Sequence, residues 1–262
     1  MTQSKTLKVA SWNVNSIRAR LQHVLDWMAS SDTDILCIQE TKVDNDSFPY
    51  DVFELNNLHV YVHGQKSYHG VCIVSKVPLT DIQTGFPSGD LNEQKRVISA
   101  TYKDMRIVNM YVPQGESAES PKFVMKEEFY SLLQSWLETT FNPSEKVLMC
   151  GDFNIAPEAR DVYDPVACAK KCMFMPIEVE WLQRFMAWGF KDSFRLFNNE
   201  DGQYSWWDYR LGSVNRNKGC RIDQIFITEP LAELAKNAGI DKAPRTWERP
   251  SDHTPIWVEL AL

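Results

Sequence analysis

Residues 146–154 read KVLMCGDFN, an apolar run from Lys146 to Cys150 that stops at Gly151 and a carboxylate. A short continuous apolar run of this kind fits a strand. If the chain stays extended through Gly151-Asp152-Phe153-Asn154, the two polar side chains fall on the same side, because side chains alternate along a strand. The same punctuation recurs elsewhere. Leu7 to Val14 is a strand candidate closed by Asn13 and Asn15, and Asp34 to Gln39 is a second that runs directly into Glu40. Two late strands reverse the order: Asp223 precedes QIFI within 222–227, and Asp252 with His253 precedes the strand at 255–260. Strands that end at their polar residue and strands that begin at theirs share one sheet edge if they run antiparallel. Six or seven polar side chains then meet at one rim.

Working outward, further strands fit 71–75, 97–102 and 106–112. Helical spacing of apolar residues marks 16–30 (Leu21, Val24, Leu25, Met28) and 125–140 (Phe129, Leu132, Leu133, Trp136, Leu137), and 177–188 is a helix opened by Pro176 and closed by Gly189. Strand and helix interleave without a regular strand-helix-strand repeat, which argues for mixed sheets over a doubly wound parallel one. The fold expected is α/β, with two mixed β-sheets packed face to face and flanked by helices. No repeat, low-complexity tract or long Gly/Ser linker interrupts the 262 residues, so 1–262 reads as a single domain.

Composition excludes several classes. Hydrophobic residues at 44% and charged residues at 24% argue against disorder and supply a core. No apolar run approaches the roughly 18 residues of a membrane span and no apolar segment follows Met1, so the expectation is a soluble, cytoplasmic protein with no membrane partner. Six scattered cysteines fit reduced thiols rather than a disulfide scaffold, and Cys168 and Cys172 lack the neighbours to complete a zinc site. A net charge of −7 argues at first against nucleic acid. A few basic residues clustered on one rim would still suffice for phosphate binding, and an acidic remainder limits non-specific adhesion.

Taken singly, each Asp or Asn at a strand end is better read as a turn residue. The set is harder to dismiss, because Glu40 follows apolar and amide residues where no turn needs it. His253, next to Asp252 and with Asp223 available to orient it, becomes a plausible acid-base or charge-stabilising group.

SWNVNSIR (11–18), LCIQETK (36–42), YVPQGES (111–117), GDFNIAP (151–157), YSWWDYR (204–210), RIDQIF (221–226) and SDHTPIW (251–257) resemble the ordered motifs of exonuclease III-type apurinic/apyrimidinic endonucleases. GDFN and SDH alone mark only the wider endonuclease/exonuclease/phosphatase superfamily; QETK, PQGES and SWWDYR narrow it to the DNA-repair branch. The resemblance, spanning about residues 7 to 260, implies a four-layered α/β sandwich. It also implies magnesium, with manganese as a substitute, ligated by Glu40 with Asn13 or a nearby carboxylate, Asp252 being assigned to a second metal position or to orienting the site. By the same resemblance Asp152 orients or deprotonates the attacking water and Asn154 helps to hold it. His253, braced by Asp223, lies against the scissile phosphate as base or charge stabiliser, and Tyr111 contacts the phosphate. Lys42 pairs with an acid in the pocket.

The activity so implied is metal-dependent hydrolysis of the DNA backbone 5′ to abasic sites, with 3′→5′ exonuclease and 3′-end trimming, by a monomer acting on duplexes with abasic sites or blocked 3′ ends. Loop residues Arg18, Arg20, Lys66, Lys95, Arg96, Arg216 and Lys218 are candidate backbone contacts, each on its own an ordinary surface charge. Trp206 matches the family aromatic that walls the abasic pocket. Tyr163, in the segment 158–175, could fill that pocket, favouring terminal trimming, or stand clear of it. Two alternatives stay open: a 3′-end-specific exonuclease/phosphatase with weak abasic cleavage, and a small-molecule phosphoesterase of the same superfamily. A catalytically silent DNA-binding protein would require loss of a reactive residue, and every expected one is present.

Overall fold

The structure is a computed structural model that describes residues 6–87 and 89–262. The strands are β1 (Thr6–Asn13), β2 (Ile35–Gln39), β3 (His59–His63), β4 (Val71–Ser75), β5 (Thr80–Thr84), β6 (Val97–Tyr102), β7 (Met105–Tyr111), β8 (Lys146–Asp152), β9 (Phe190–Asp192), β10 (Asp223–Thr228), β11 (Ala235–Ile240) and β12 (Ile256–Ala261). The helices are α1 (Ile17–Ser30), α2 (Tyr50–Leu55), α3 (Pro121–Thr140), α4 (Pro165–Cys168), α5 (Pro176–Ala187) and α6 (Glu229–Ala232). Among the described residues two six-stranded sheets form, in the orders β11-β12-β1-β2-β4-β3 and β5-β6-β7-β8-β10-β9. Both are mixed: β1 pairs parallel with β2 and antiparallel with β12, and β8 pairs parallel with β7 and antiparallel with β10.

Alternation along the strands divides the core into layers. In β8, Leu148 and Cys150 join Ile35, Cys37, Ile107 and Ile225 between the sheets. Val147 and Met149 point the other way, into a layer with Phe129, Leu133, Leu182 and Phe185 of α3 and α5. Leu36 and Ile38 of β2 likewise leave the inter-sheet layer to meet Val24, Trp27 and Met28 of α1. Sheets covered on both faces need strands that are apolar on both faces, which is why KVLMC and ILCIQ read as continuous runs. The result is the expected four-layered α/β sandwich.

Local details follow from chemistry. Helix α3 begins at Pro121 rather than 125 because the Ser120 side chain accepts from the Lys122 N–H at 3.2 Å and caps it. Gly151 (φ 144°) sits where a Cβ would lie 1.9 Å from the Met110 carbonyl oxygen, so β7 and β8 approach this closely only with glycine there. Among the described residues, no helix is long and apolar enough to cross a membrane.

Candidate active site

Five inward-facing rows of side chains between the sheets are apolar at one end and polar at the other. Val9-Ser11-Asn13, Ile35-Cys37-Gln39, Ile107-Asn109-Tyr111, Leu148-Cys150-Asp152 and Ile227-Ile225-Asp223 are these rows, read by two-residue alternation along β1, β2, β7, β8 and β10. Parallel pairing aligns Asn13 with Gln39 and Tyr111 with Asp152, and antiparallel pairing sets Asp223 opposite Asp152. The polar ends therefore lie at one rim, where both sheets contribute. Gln39 and Asn109 form the floor: Gln39 Nε2 donates to Ser11 Oγ at 2.9 Å and to Asn109 Oδ1 at 2.7 Å, and Asn109 Nδ2 donates to the Cys72 carbonyl at 2.8 Å.

Asn13 links the two sheets. Its amide nitrogen donates to Glu40 Oε1 and to Asp152 Oδ2, each at 3.0 Å. Its oxygen accepts the Asn15 N–H, also at 3.0 Å. Asp152 is 3.7 Å from His253 Nε2, and His253 Nδ1 lies 2.9 Å from Asp223 Oδ2, which also accepts from Ser205 Oγ at 2.6 Å. Asp152, Asp223 and His253 are all buried.

Burial works against a charge on His253, but Asp223 and Asp152, with a further contribution from Asp252, push it up to about 10, so the imidazole is doubly protonated at neutral pH. Asp152 is pushed up to about 7, first by burial, against the lowering influence of His253, with Asp223 and Glu40 adding repulsion. Burial also opposes ionisation of Glu40, yet the Lys42 ammonium at 2.7 Å and the Asn13 amide hold its carboxyl below the usual range. Burial and the neighbouring carboxylates Glu40 and Asp152 raise the Tyr111 phenol well above its ordinary value, leaving it a donor.

Four rim positions carry unusual backbone, Asn15 (φ 47°) among them. Glu40 (φ 55°), Lys42 (φ 55°) and Asn154 (φ 52°) are left-handed, a costly conformation that concentrates at functional sites. For Asn154 this departs from the extended reading of GDFN. The chain turns at once, with the Asn154 N–H donating to Asp152 Oδ1 at 2.9 Å and Asn154 Nδ2 to the Val112 carbonyl at 2.9 Å, a side-chain-closed turn that asparagine favours.

The remaining candidates divide. Trp206, Arg216, Lys218 and Tyr163 line one cavity of about 450 Å³ together with Arg210 and Phe174. Trp206 Nε1 donates to Asp252 Oδ2 at 3.0 Å, tying that cavity to the polar rim, and Asp252 Oδ1 accepts from Asn15 Nδ2 at 2.9 Å. Lys66 is exposed on the turn after β3. Arg96 is not on the surface. It is buried, with its guanidinium carbon 4.7 Å from the Tyr111 ring centre and Nη1 donating to the Tyr111 carbonyl at 3.0 Å, so it braces the phenol. Arg221, near the expected basic stretch, is also buried, between Asp161 and Asp192.

Sequence reasoning missed Ser205 and the bridging role of Asn15, although both lie inside quoted motifs. Asn15 Oδ1 accepts from Lys42 Nζ at 2.5 Å, so one amide connects the Asp252 and Glu40 sides of the rim. His69, with its ring centre 6.0 Å from that of Tyr111, carried no signal; burial first and Arg96 second push it down to about 4, so it is neutral.

The donor set suits a hard divalent cation. It is rich in oxygen, Glu40 is ionised with an ammonium already against it, and Asp152 and Asp223 add carboxylate oxygens close together, whereas the protonated His253 beside them offers no lone pair to a cation. Asn13 presents its nitrogen to Glu40, so of these candidates the two carboxylates offer oxygen, and each oxygen of Glu40 and of Asp252 already has one hydrogen-bond or ion-pair partner.

Comparison with known proteins gives a consistent picture. The model of the Endonuclease/Exonuclease/phosphatase family matches residues 10–253. Exodeoxyribonuclease III of Haemophilus influenzae is 38% identical over 97% of this chain and 100% of its own length. Among solved structures, an AP endonuclease from Archaeoglobus fulgidus superposes with a TM-score of 0.94 at 35% identity, covering 98% of this chain and 100% of that one. The 3′ phosphatase NExo from Neisseria, solved with a product DNA hairpin, gives a TM-score of 0.92 at 38% identity, covering 97% and 99%.

Proposed function

This chain belongs to the endonuclease/exonuclease/phosphatase family, and on that premise we propose that it is a DNA-repair nuclease that hydrolyses the backbone 5′ to abasic sites and trims 3′ ends. The observation that carries the reading is the Glu40-Asn13-Asp152-His253-Asp223 chain across the ends of both sheets. One end is an ionised carboxylate suited to a cation, and the other is a cationic imidazole suited to a phosphate.

Magnesium held by Glu40, with Asn13 or Asp252 as further ligands, would neutralise charge on the attacked phosphate and on the departing 3′ oxygen. Asp152 orients the attacking water and takes its proton; a carboxyl raised to about 7 by burial is a better base than a solvated one. Asn13 and the Asn154 N–H fix the Asp152 carboxylate from two sides. His253, kept protonated by Asp223, stabilises charge on the phosphate rather than removing a proton. Tyr111 donates to a phosphate oxygen, steadied by Arg96. The products are a 3′ hydroxyl and a 5′ deoxyribose phosphate.

The Neisseria relative with a product hairpin supports DNA as the substrate. Tyr163 belongs to the wall of the 450 Å³ cavity rather than filling it, which favours admission of an extruded abasic sugar beside Trp206. Exposed Arg216 and Lys218 border the same opening and meet phosphates. The chain acts as a monomer in this account. A gel assay tests it: a duplex with a central abasic analogue beside nicked duplexes ending in 3′ phosphate or 3′ hydroxyl, with magnesium and with chelator. Cleavage at the abasic analogue confined to the magnesium lanes is expected. Trimming without abasic cleavage would instead favour the 3′-end-specific enzyme, and inactivity on all three DNAs would refute the proposal.

A further inference from the structure

A fully buried ion pair lies behind the polar rim. Lys126 of α3 and Glu178 of α5 are both completely inaccessible and in direct contact. A buried pair of this kind is weak evidence for stability, since desolvating two charges offsets much of their attraction. Its hydrogen bonds point to another role. Lys126 Nζ has three donors. One goes to Glu178, one to the Asn154 carbonyl at 2.8 Å and one to the Gln114 carbonyl at 3.2 Å. One helical turn later, Tyr130 Oη donates to the Phe153 carbonyl at 3.1 Å. A single face of α3 therefore holds successive carbonyls of the turn that carries Asp152 and Asn154, and also the loop that follows Tyr111. Glu178 is itself fixed by accepting the Met175 N–H at 3.0 Å at the start of α5. Gly115 (φ 96°) completes the seat, because a Cβ there would press on Lys126 Cδ at 3.3 Å.

We propose that Lys126 is a positioning residue that sets the Asp152–Asn154 turn and the Gln114 loop in the geometry needed for turnover. This rests on the catalytic reading of Asp152 given above. Left-handed Asn154 is a strained position, and a strained turn persists only where its surroundings hold it. Lys126 makes no contact with substrate in this account; it acts through the backbone of two loops.

The test is a series in which every member carries Glu178→Gln, a change that keeps an oxygen for the Met175 N–H. Glu178→Gln alone leaves Lys126 donating to both loop carbonyls, Lys126→Gln/Glu178→Gln leaves one donor within reach, and Lys126→Met/Glu178→Gln leaves none. Expected kcat on the abasic duplex falls stepwise, from within about threefold of the parent to about tenfold and then about a hundredfold lower, with KM within about twofold throughout. Amide exchange over 153–156 and 114–117 accelerates in the same order while β8 and β10 stay protected. Equal kcat in folded members of the series, or a loss as large in Glu178→Gln as in the double variants, overturns the proposal. If the methionine variant does not fold, the comparison of Glu178→Gln with Lys126→Gln/Glu178→Gln decides alone. An inactive parent protein would sink the nuclease reading without touching the exchange measurement, which separates the two failures.

Discussion

Replacing Asp152 with asparagine should make the protein more stable and nearly inactive. The metal-free carboxyl is raised from 3.8 to about 7, with burial the largest cause, so keeping it ionised at high pH opposes folding. At 1.36 kcal/mol per pH unit the difference bounds that cost at about 4 kcal/mol. Asparagine retains an oxygen for the Asn154 N–H, but its amide nitrogen would face two donors, Asn13 Nδ2 and His253 Nε2, and His253 would lose one of its two closest carboxylates. These losses leave a net gain of about 1–2 kcal/mol, or roughly 2–8 °C in Tm for a chain of this size. The pH dependence fixes the sign. Between pH 4 and 7 the folded state holds a proton on Asp152 that the unfolded state has released, so this group's contribution falls as pH rises. The advantage of Asp152→Asn is therefore small at pH 5 and largest at pH 8. Thermal melts in chelator at both pH values read the stability, and single-turnover cleavage with magnesium reads an expected loss of about 10²–10⁴-fold. An advantage that is absent at pH 8, or wild-type turnover in the variant, would refute the reasoning.

Glu40→Gln keeps the shape but removes the charge offered to a cation, and the magnesium concentration for half-maximal cleavage is expected to rise at least about tenfold; an unchanged titration would remove Glu40 from the metal site. His253→Asn should lower kcat by about 10²–10⁴-fold with folding preserved, as judged by an unaltered cooperative melt. Lys218→Ala should weaken DNA binding regardless of sequence and reduce the log-affinity against log-salt slope by about one, measured by fluorescence anisotropy. Gly151→Ala, whose Cβ would meet the Met110 carbonyl oxygen at 1.9 Å, should cost about 3 kcal/mol or more in a denaturant titration.

The rim was legible because apolar strand rows end in polar residues, a local pattern visible in KVLMCGDFN and ILCIQE without knowledge of the fold. Strands lacking that pattern were not. β5 (TDIQT) is exposed throughout, β9 has three residues and β11 (AKNAGI) has no two-residue apolar alternation, so their pairing comes from neighbours rather than from their own periodicity. Buried charges were equally hidden. Lys126 and Glu178 are 52 residues apart, and Arg221 and Asp161 are 60 apart, so nothing near either residue announces its partner. Arg96 read as a surface contact for the same reason: only the tertiary structure places Tyr111 over its guanidinium. Asn154 kept its place at the rim but not its extended backbone, since the Asx turn with Asp152 is closed by a side chain.

The strand ends of two sheets, meeting at Asn13, are held here to build one pocket for a cation and a phosphodiester. Anomalous diffraction from crystals soaked in manganese and a short abasic duplex tests this directly. The expected result is a manganese peak in contact with Glu40, with a phosphate of the DNA lying between that peak and His253. A peak elsewhere with Glu40 bare, or DNA bound on a face away from His253, would contradict it.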